Sequence, residues 1–207
     1  RFRVRGFMLD VSRDRVPTRQ SLESLVDLLW ELKYNQLQLY TEHTFAYAGH
    51  EVGWNNASPL TGEDIRWLER LCQERGIELV PNQNCFGHFE RWLQHPEYRE
   101  LAESPGGFYH PHLGWRDHGS VLQPTEASAD FVAALLEELV PHFRSKQVNV
   151  GCDETWELGE GRSREKANAM GKQALYLKHL RRIHERVEGL GLRMQFWADI
   201  ILQAPEL

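Results

Sequence analysis

Apolar residues recur along this chain in two alternating rhythms. Short apolar runs that end in polar residues are followed by longer stretches in which apolar side chains return every three or four positions. That alternation predicts strands, each leading into an amphipathic helix. The first run, Val4 to Val11, precedes Leu22, Leu25, Val26, Leu29 and Leu32 on one helical face. Gln36 to Tyr40 predicts a second strand. Thr61 stands three residues before Asp64 as a capping pair, ahead of a stripe of Ile65, Leu68 and Leu71 that stops at Gly76. Ile77 to Pro81 predicts the third strand. From Asn84 to Ser120 the chain is rich in Gly, Pro, His and aromatic residues, and only Glu90 to Glu103 reads as helical. A loop of that length inside a compact domain is usually functional. Phe131, Leu135, Leu139, Val140 and Phe143 then share a helical face before a strand at Gln147 to Val150. Tyr176, Leu180, Ile183 and Val187 mark a last long helix, ending at Gly189 or Gly191, which delivers a fifth strand at Leu192 to Phe196.

Five βα units of uniform composition predict one α/β domain over residues 1–207, either an open doubly wound sheet or part of a (β/α)8 TIM barrel. The first strand runs into Asp10-Val11-Ser12-Arg13, where a dinucleotide fold would carry a glycine-rich turn. Polar residues cluster instead at successive strand ends: Asp10, Glu42, Asn82 to His88, Asp153-Glu154 and Trp197 to Asp199. Barrel enzymes keep their chemistry at those ends. The expected fold is therefore the first five units of a barrel whose closure needs eight strands.

Charge narrows the partners. Against 24 Lys and Arg stand 30 Asp and Glu, a net −6 over 207 residues, so no basic field draws nucleic acid or an anionic membrane. No run approaches the roughly 20 apolar residues that span a bilayer, and no signal-type segment opens the chain. The first residue is Arg rather than Met, as in an excerpt or a processed form. Three cysteines, Cys72, Cys85 and Cys152, fit neither a disulfide framework nor a structural zinc site. They are expected as free thiols, which favours a cytoplasmic setting and leaves the compartment open.

The sharpest local feature is Val148-Asn149-Val150-Gly151-Cys152-Asp153-Glu154-Thr155-Trp156, a strand stopping in two adjacent carboxylates. Neighbouring acids disfavour each other's ionisation, so one can stay protonated as a general acid while the other remains anionic. An Asp-Glu pair at a helix start is also a common solvated arrangement.

Ordered blocks around this pair resemble the catalytic domain of glycoside hydrolase family 20, the β-N-acetylhexosaminidases. They are Arg5-Gly6-Phe7-Met8-Leu9-Asp10-Val11-Ser12-Arg13, Lys33-Tyr34-Asn35-Gln36-Leu37, Gly87-His88, Leu122-Gln123-Pro124, Gly151-Cys152-Asp153-Glu154 and Phe196-Trp197-Ala198-Asp199. The resemblance implies an exo-acting hydrolase of terminal β-linked N-acetylglucosamine or N-acetylgalactosamine, using substrate-assisted retaining catalysis without metal or cofactor. By that resemblance Asp153 orients the acetamido group and Glu154 is the general acid and base. Arg5 binds sugar hydroxyls, Glu42 and His88 contribute to the substrate site, and Trp197 walls the acetamido pocket. The implied partner is a carbohydrate. Tyr40-Thr41-Glu42-His43-Thr44-Phe45 and Pro81-Asn82-Gln83-Asn84 depart from the usual family pattern and suggest a divergent, hexosaminidase D-like branch.

Two rival readings remain. His110-Pro111-His112, with His88, His95 and His118 nearby in sequence, suggests a metal-dependent amidohydrolase-like barrel. Trp54, Trp115 and Trp156 in loops would suit a carbohydrate-binding barrel without catalysis, whereas Trp30 and Trp67, on helices, are expected in the core.

Overall fold

The computed structural model describes residues 2–202. Strand β1 (Gly6–Asp10) leads to helix α1 (Arg19–Glu31), strand β2 (Gln36–Tyr40), a short helix α2 (Glu51–Trp54), helix α3 (Gly62–Glu74) and strand β3 (Glu78–Val80). The long third connection holds α4 (Glu90–Leu93), a 3-10 turn at Pro96–Leu101, and an antiparallel hairpin of β4 (Phe108–His110) and β5 (Gly114–Arg116). Helix α5 (Glu126–Leu139) precedes β6 (Gln147–Asn149). Then follow α6 (Arg164–Met170), α7 (Lys172–Gly189), β7 (Arg193–Gln195) and α8 (Asp199–Leu202).

Local chemistry sets the helix starts. Thr18 accepts from the Ser21 N–H at the head of α1, and Thr61 and Asp64 satisfy each other's backbone N–H groups in a capping box at α3. Among the described residues no helix is long and apolar enough to cross a membrane.

The strands β1, β2 and β3 pair in parallel in that order, as do β6 and β7. A parallel bridge between Asn82 and Asn149 links the two sets, with the Asn149 N–H donating to Pro81 O at 2.9 Å. Leu37, Leu79 and Val148 on the strands are buried together with Leu22 and Val26 of α1, Leu68 of α3 and Ile183 of α7. Complete burial of each such side chain contributes about 1.5–3 kcal/mol.

The alternate strand face is polar. Asn149 Nδ2 donates to Gln38 Oε1 (2.9 Å), Gln38 Nε2 to Gln195 Oε1 (2.8 Å), and Gln195 Nε2 to Gln147 Oε1 (2.8 Å). Gln147 Nε2 ends the series on the Glu78 carboxylate at 3.1 Å. Burial alone would raise the Glu78 pKa, but donation from Ser145, Gln147 and Gln36, with the Arg193 charge, holds it below the usual carboxylate range. At the upper end Asn149 Oδ1 accepts the Gly151 N–H at 2.9 Å.

The structure departs from the sequence expectation in several places, among them α2, which puts Trp54 on a short helix. The hairpin β4–β5 was not anticipated. The helix expected over Glu90 to Glu103 is divided, with Pro96 opening a separate 3-10 turn. Helix α6 buries none of its residues and so lacks an apolar stripe. Trp30, expected in the core, is 57% exposed on α1, because the stripe of Leu22, Val26 and Leu29 turns its position outward.

Candidate active site

Three strand-end segments converge at the carboxyl side of the sheet: Thr41-Glu42 after β2, Asn82 to His88 after β3, and Gly151 to Glu154 beyond β6. They are pressed together tightly. A Cβ on Gly87 would lie 2.3 Å from the Asp153 carbonyl oxygen, and one on Gly151 (φ +64) would lie 1.9 Å from Asn84 Oδ1. His88, Cys152 and Glu154 all adopt left-handed φ, at 62°, 68° and 49°. Non-glycine residues pay a conformational cost for that geometry, and such strain concentrates at functional sites. Tyr176 Oη donates to Cys152 O at 2.8 Å, and the Trp197 N–H donates to Gly151 O at 2.9 Å, fixing the acidic segment from two further elements.

His88 is the hub. Its Nδ1 lies 3.3 Å from Glu42 Oε1, and its Nε2 lies 3.3 Å from Asp153 Oδ2 and 3.6 Å from Glu154 Oε2. Burial favours the neutral imidazole, but the Asp153 hydrogen bond and the charges of Asp153, Glu42 and Glu154 outweigh it and raise the His88 pKa. Burial pushes Glu42 up to about 7, with His88 and Arg13 pulling the other way. Asp199 is also raised, first by burial and then by the Asp153 charge. The Tyr40 phenol is raised by burial and by Asp153 and Glu42.

The two adjacent acids have different settings. Asp153 keeps 18% of its side chain exposed and Glu154 50%. Asp153 Oδ1 is buried without a hydrogen-bond partner, while Oδ2 rests on His88. A cavity of about 570 Å³ opens at this end, lined in part by Ser12, Arg13, Glu42, His88, Glu154 and Trp156.

Arg5 is not brought to these acids. It precedes β1 at the amino end of the sheet, where its Nε donates to Lys33 O (2.6 Å) and its Nη1 to Phe2 O (2.9 Å). The guanidinium at the carboxyl end is that of Arg13, which is paired with Asp10, lies 3.5 Å from Glu42 Oε1, and sits 5.0 Å from the Tyr40 ring centroid. Strand polarity points to it: three residues past the strand-end Asp10, Arg13 falls on the side where the acids gather. Trp197 follows β7 beside Gly151 and is 43% exposed, outside the lining of the cavity. The aromatic in the lining is Trp156.

The histidine-rich loop is organised differently from a metal centre. His110 Nδ1 accepts the backbone N–H groups of His112 (3.1 Å) and Leu113 (3.2 Å), closing the β4–β5 turn. Its ring packs 5.3 Å from that of Trp156. Among the described residues no three His, Cys, Asp or Glu side chains are grouped so as to hold a metal ion. Cys72, Cys85 and Cys152 are free and buried.

Parallel strands of an α/β fold thus end in a strained, carboxylate-rich pocket around one histidine. Residues 2–207 match the family described as glycosyl hydrolase family 20, catalytic domain, and the chain belongs to that family. It is 26% identical to human hexosaminidase D over 214 residues, covering 99% of this chain and 41% of that protein. Its identity to beta-hexosaminidase A of Caenorhabditis elegans is also 26%, over 97% of this chain and 39% of that protein. The chain thus spans less than half the length of these relatives.

Among solved structures, the fold matches the GH20 exo beta-N-acetylglucosaminidase from Vibrio harveyi in complex with N-acetylglucosamine. The TM-score is 0.79 at 22% identity, over 95% of this chain and 35% of that one. It also matches the Streptomyces plicatus N-acetyl-beta-hexosaminidase, with a TM-score of 0.75 at 20% identity, over 97% and 40% of the two chains.

Proposed function

We propose that this chain supplies the first five βα units and the catalytic acids of an eight-stranded barrel that removes terminal β-linked N-acetylhexosamine from a glycan or glycoconjugate. The observation that carries the reading is the divided state of Asp153, one oxygen on His88 and the other buried without a donor. A buried acceptor left unpaired is costly, and an acetamido N–H entering beside it satisfies that oxygen.

In this scheme the acetamido oxygen of the substrate attacks the anomeric carbon as the glycosidic bond breaks. Asp153 holds the acetamido N–H and offsets the positive charge that develops on the ring formed. Glu154, half-exposed and lining the cavity, gives its proton to the departing oxygen and later takes one from the incoming water. His88 and Glu42 orient both acids. Trp156 offers an aromatic wall for a sugar face.

The test uses the full-length protein and aryl N-acetyl-β-glucosaminides. Glu154→Gln is expected to lose most activity on a poor leaving group and to recover it on a very acidic one that needs no proton. Asp153→Asn is expected to stay slow on both. Complete rescue of both variants would overturn the assigned roles.

A further inference from the structure

The hairpin of β4 and β5 has two unlike faces. Phe108 and His110 are buried on one of them, where the His110 ring packs 5.3 Å from Trp156 in the cavity wall. Side chains alternate along a strand, so Tyr109 points the other way, and the register sets it opposite Trp115 on that outer face. Tyr109 is 71% exposed, Trp115 60%, and Leu113 in the turn between the strands 65%.

The Trp115 indole is held in one orientation. Its Nε1 donates to Asp117 Oδ1 at 2.9 Å, and a Cβ on Gly107 (φ +92) would lie 2.9 Å from its Cζ2, so the ring lies close against the glycine. The turn itself is fixed by the two backbone N–H groups that His110 Nδ1 accepts. A ring already ordered loses little freedom when it is covered. Trp115 also borders a hollow of about 210 Å³ together with Glu90, Arg116, Asp117 and His118. A flat apolar ring edged by hydrogen-bonding groups suits a ligand with an apolar face and a polar edge, which is the shape of a hexopyranose.

Size and charge decide between occupants. Fully covered, an aromatic side chain buries about 150–250 Å², whereas a stable protein interface takes about 800 Å² from each partner. Tyr109 and Trp115, even with Leu113, fall short of that. The hollow sets two carboxylates, Glu90 and Asp117, against Arg116 and His118, with Glu90 3.9 Å from the guanidinium, so no excess positive charge draws an anionic ligand. Glu90, Arg116 and His118 also line the larger cavity beside Glu154, giving the two hollows a common wall.

We propose that the outer face of this hairpin is a second sugar-binding site, taking a neutral hexopyranose ring on the Trp115 indole with Tyr109 beside it. The inference goes beyond the hydrolase reading and does not need it, because the site is read by binding and not by turnover.

The experiment uses the full-length protein labelled with 5-fluorotryptophan, the Trp115 fluorine signal being assigned with Trp115→Phe. The probes are cellotriose and galactotriose, neutral chains without an acetamido group, and trigalacturonate as their acidic counterpart. A saturable shift of the Trp115 signal is expected with at least one neutral chain, and a weaker one with trigalacturonate. By calorimetry, Trp115→Ala is expected to bind that chain about 10-fold more weakly and Tyr109→Ala about 3-fold, while Trp115→Phe keeps a ring and retains more affinity than Trp115→Ala. Thermal melts of these variants are expected to match the parent, which separates a lost contact from a lost fold. Glu154→Gln is expected to bind as the parent does.

Absence of a saturable shift, tighter binding of trigalacturonate, or equal affinity in the parent and Trp115→Ala overturns the proposal. Loss of the shift in Glu154→Gln also overturns it, by tracing the signal to the catalytic cavity. A change in sedimentation between the parent and Trp115→Ala does the same, by assigning the face to a second copy of the chain.

Discussion

His88 Nδ1 stands 3.3 Å from Glu42 Oε1, turning a residue after the second strand into the support of a histidine after the third. Under the proposed function Glu42 acts as a positioning residue. It is buried, and its charge helps hold the His88 pKa up. Glu42→Gln removes that charge, so the His88 pKa is expected to fall, with kcat/KM dropping about 100-fold, the low end of the range ascribed to acid–base contributions. An imidazole titration by NMR reads the effect directly. An unchanged His88 titration in the variant would sink the coupling.

The same pair fixes a pH trend in stability. Glu42 titrates near 7 in the fold and near 4.5 in a free chain, so between those values the native state holds a proton that the unfolded chain has lost. Stability therefore declines as pH rises through that window. His88, with its pKa raised above 6.5, acts in the same direction, its contribution being present below 6.5 and lost as pH rises through the folded value. Denaturant midpoints in the Glu42→Gln variant are expected to fall less between pH 4.5 and 7 than in the parent. A steeper decline in the variant contradicts the assignment.

Much of this arrangement is legible in the chain before any coordinates, and the reasons are physical. Leu22, Val26 and Leu29 repeat at helical spacing because they meet the sheet, and the Thr61–Asp64 box is readable because both partners are local. The Asp153-Glu154 pair stands out only with the ordered blocks around it, since adjacent acids by themselves are a common solvated arrangement. Arg5 and Arg13 could not be ranked in the same way, since which guanidinium reaches the acids depends on strand direction and on the carbonyls of Phe2 and Lys33. The β4–β5 hairpin escaped because three-residue strands carry too little alternation to stand out, and α6 because it buries no residue fully and only Ala167 in part.

His179 on α7 sets an opposite trend at lower pH. It is fully buried against Phe86 at 4.4 Å between ring centroids, and both ring nitrogens lack partners. Burial, then the Arg182 charge, push its pKa down to about 3. An unfolded histidine takes up its proton near 6.5 while the folded one does not. Stability is thus complete above that value and is lost as pH falls toward 3. His179→Phe is expected to flatten this acid loss in thermal melts between pH 6.5 and 4. A variant as acid-labile as the parent rules His179 out as the cause.

At Gly87 two strand-end segments meet backbone to backbone. Alanine there would place a carbon 2.3 Å from the Asp153 carbonyl, and backbone yields less readily than a side chain. Gly87→Ala is expected to lose about 1–3 kcal/mol of stability, the usual range for overpacking, and to lower kcat by more than the unfolded fraction accounts for. Urea unfolding and turnover of one preparation give both numbers. If alanine stabilises the protein, as it does at an unstrained glycine, the two segments are not in contact.

The amides lining the polar strand face all point the same way. Each gives a hydrogen to the next, from the Gly151 N–H through Asn149, Gln38, Gln195 and Gln147 down to the anion at Glu78. A chain of that kind has a sense, like a row of magnets laid head to tail. Turning one amide over sets two acceptors, or two donors, face to face at both of its junctions. The orientation of a peptide group just ahead of the acids is therefore tied to a carboxylate at the far end of the strands, and a Gln→Glu exchange anywhere along the row would be felt at its opposite end.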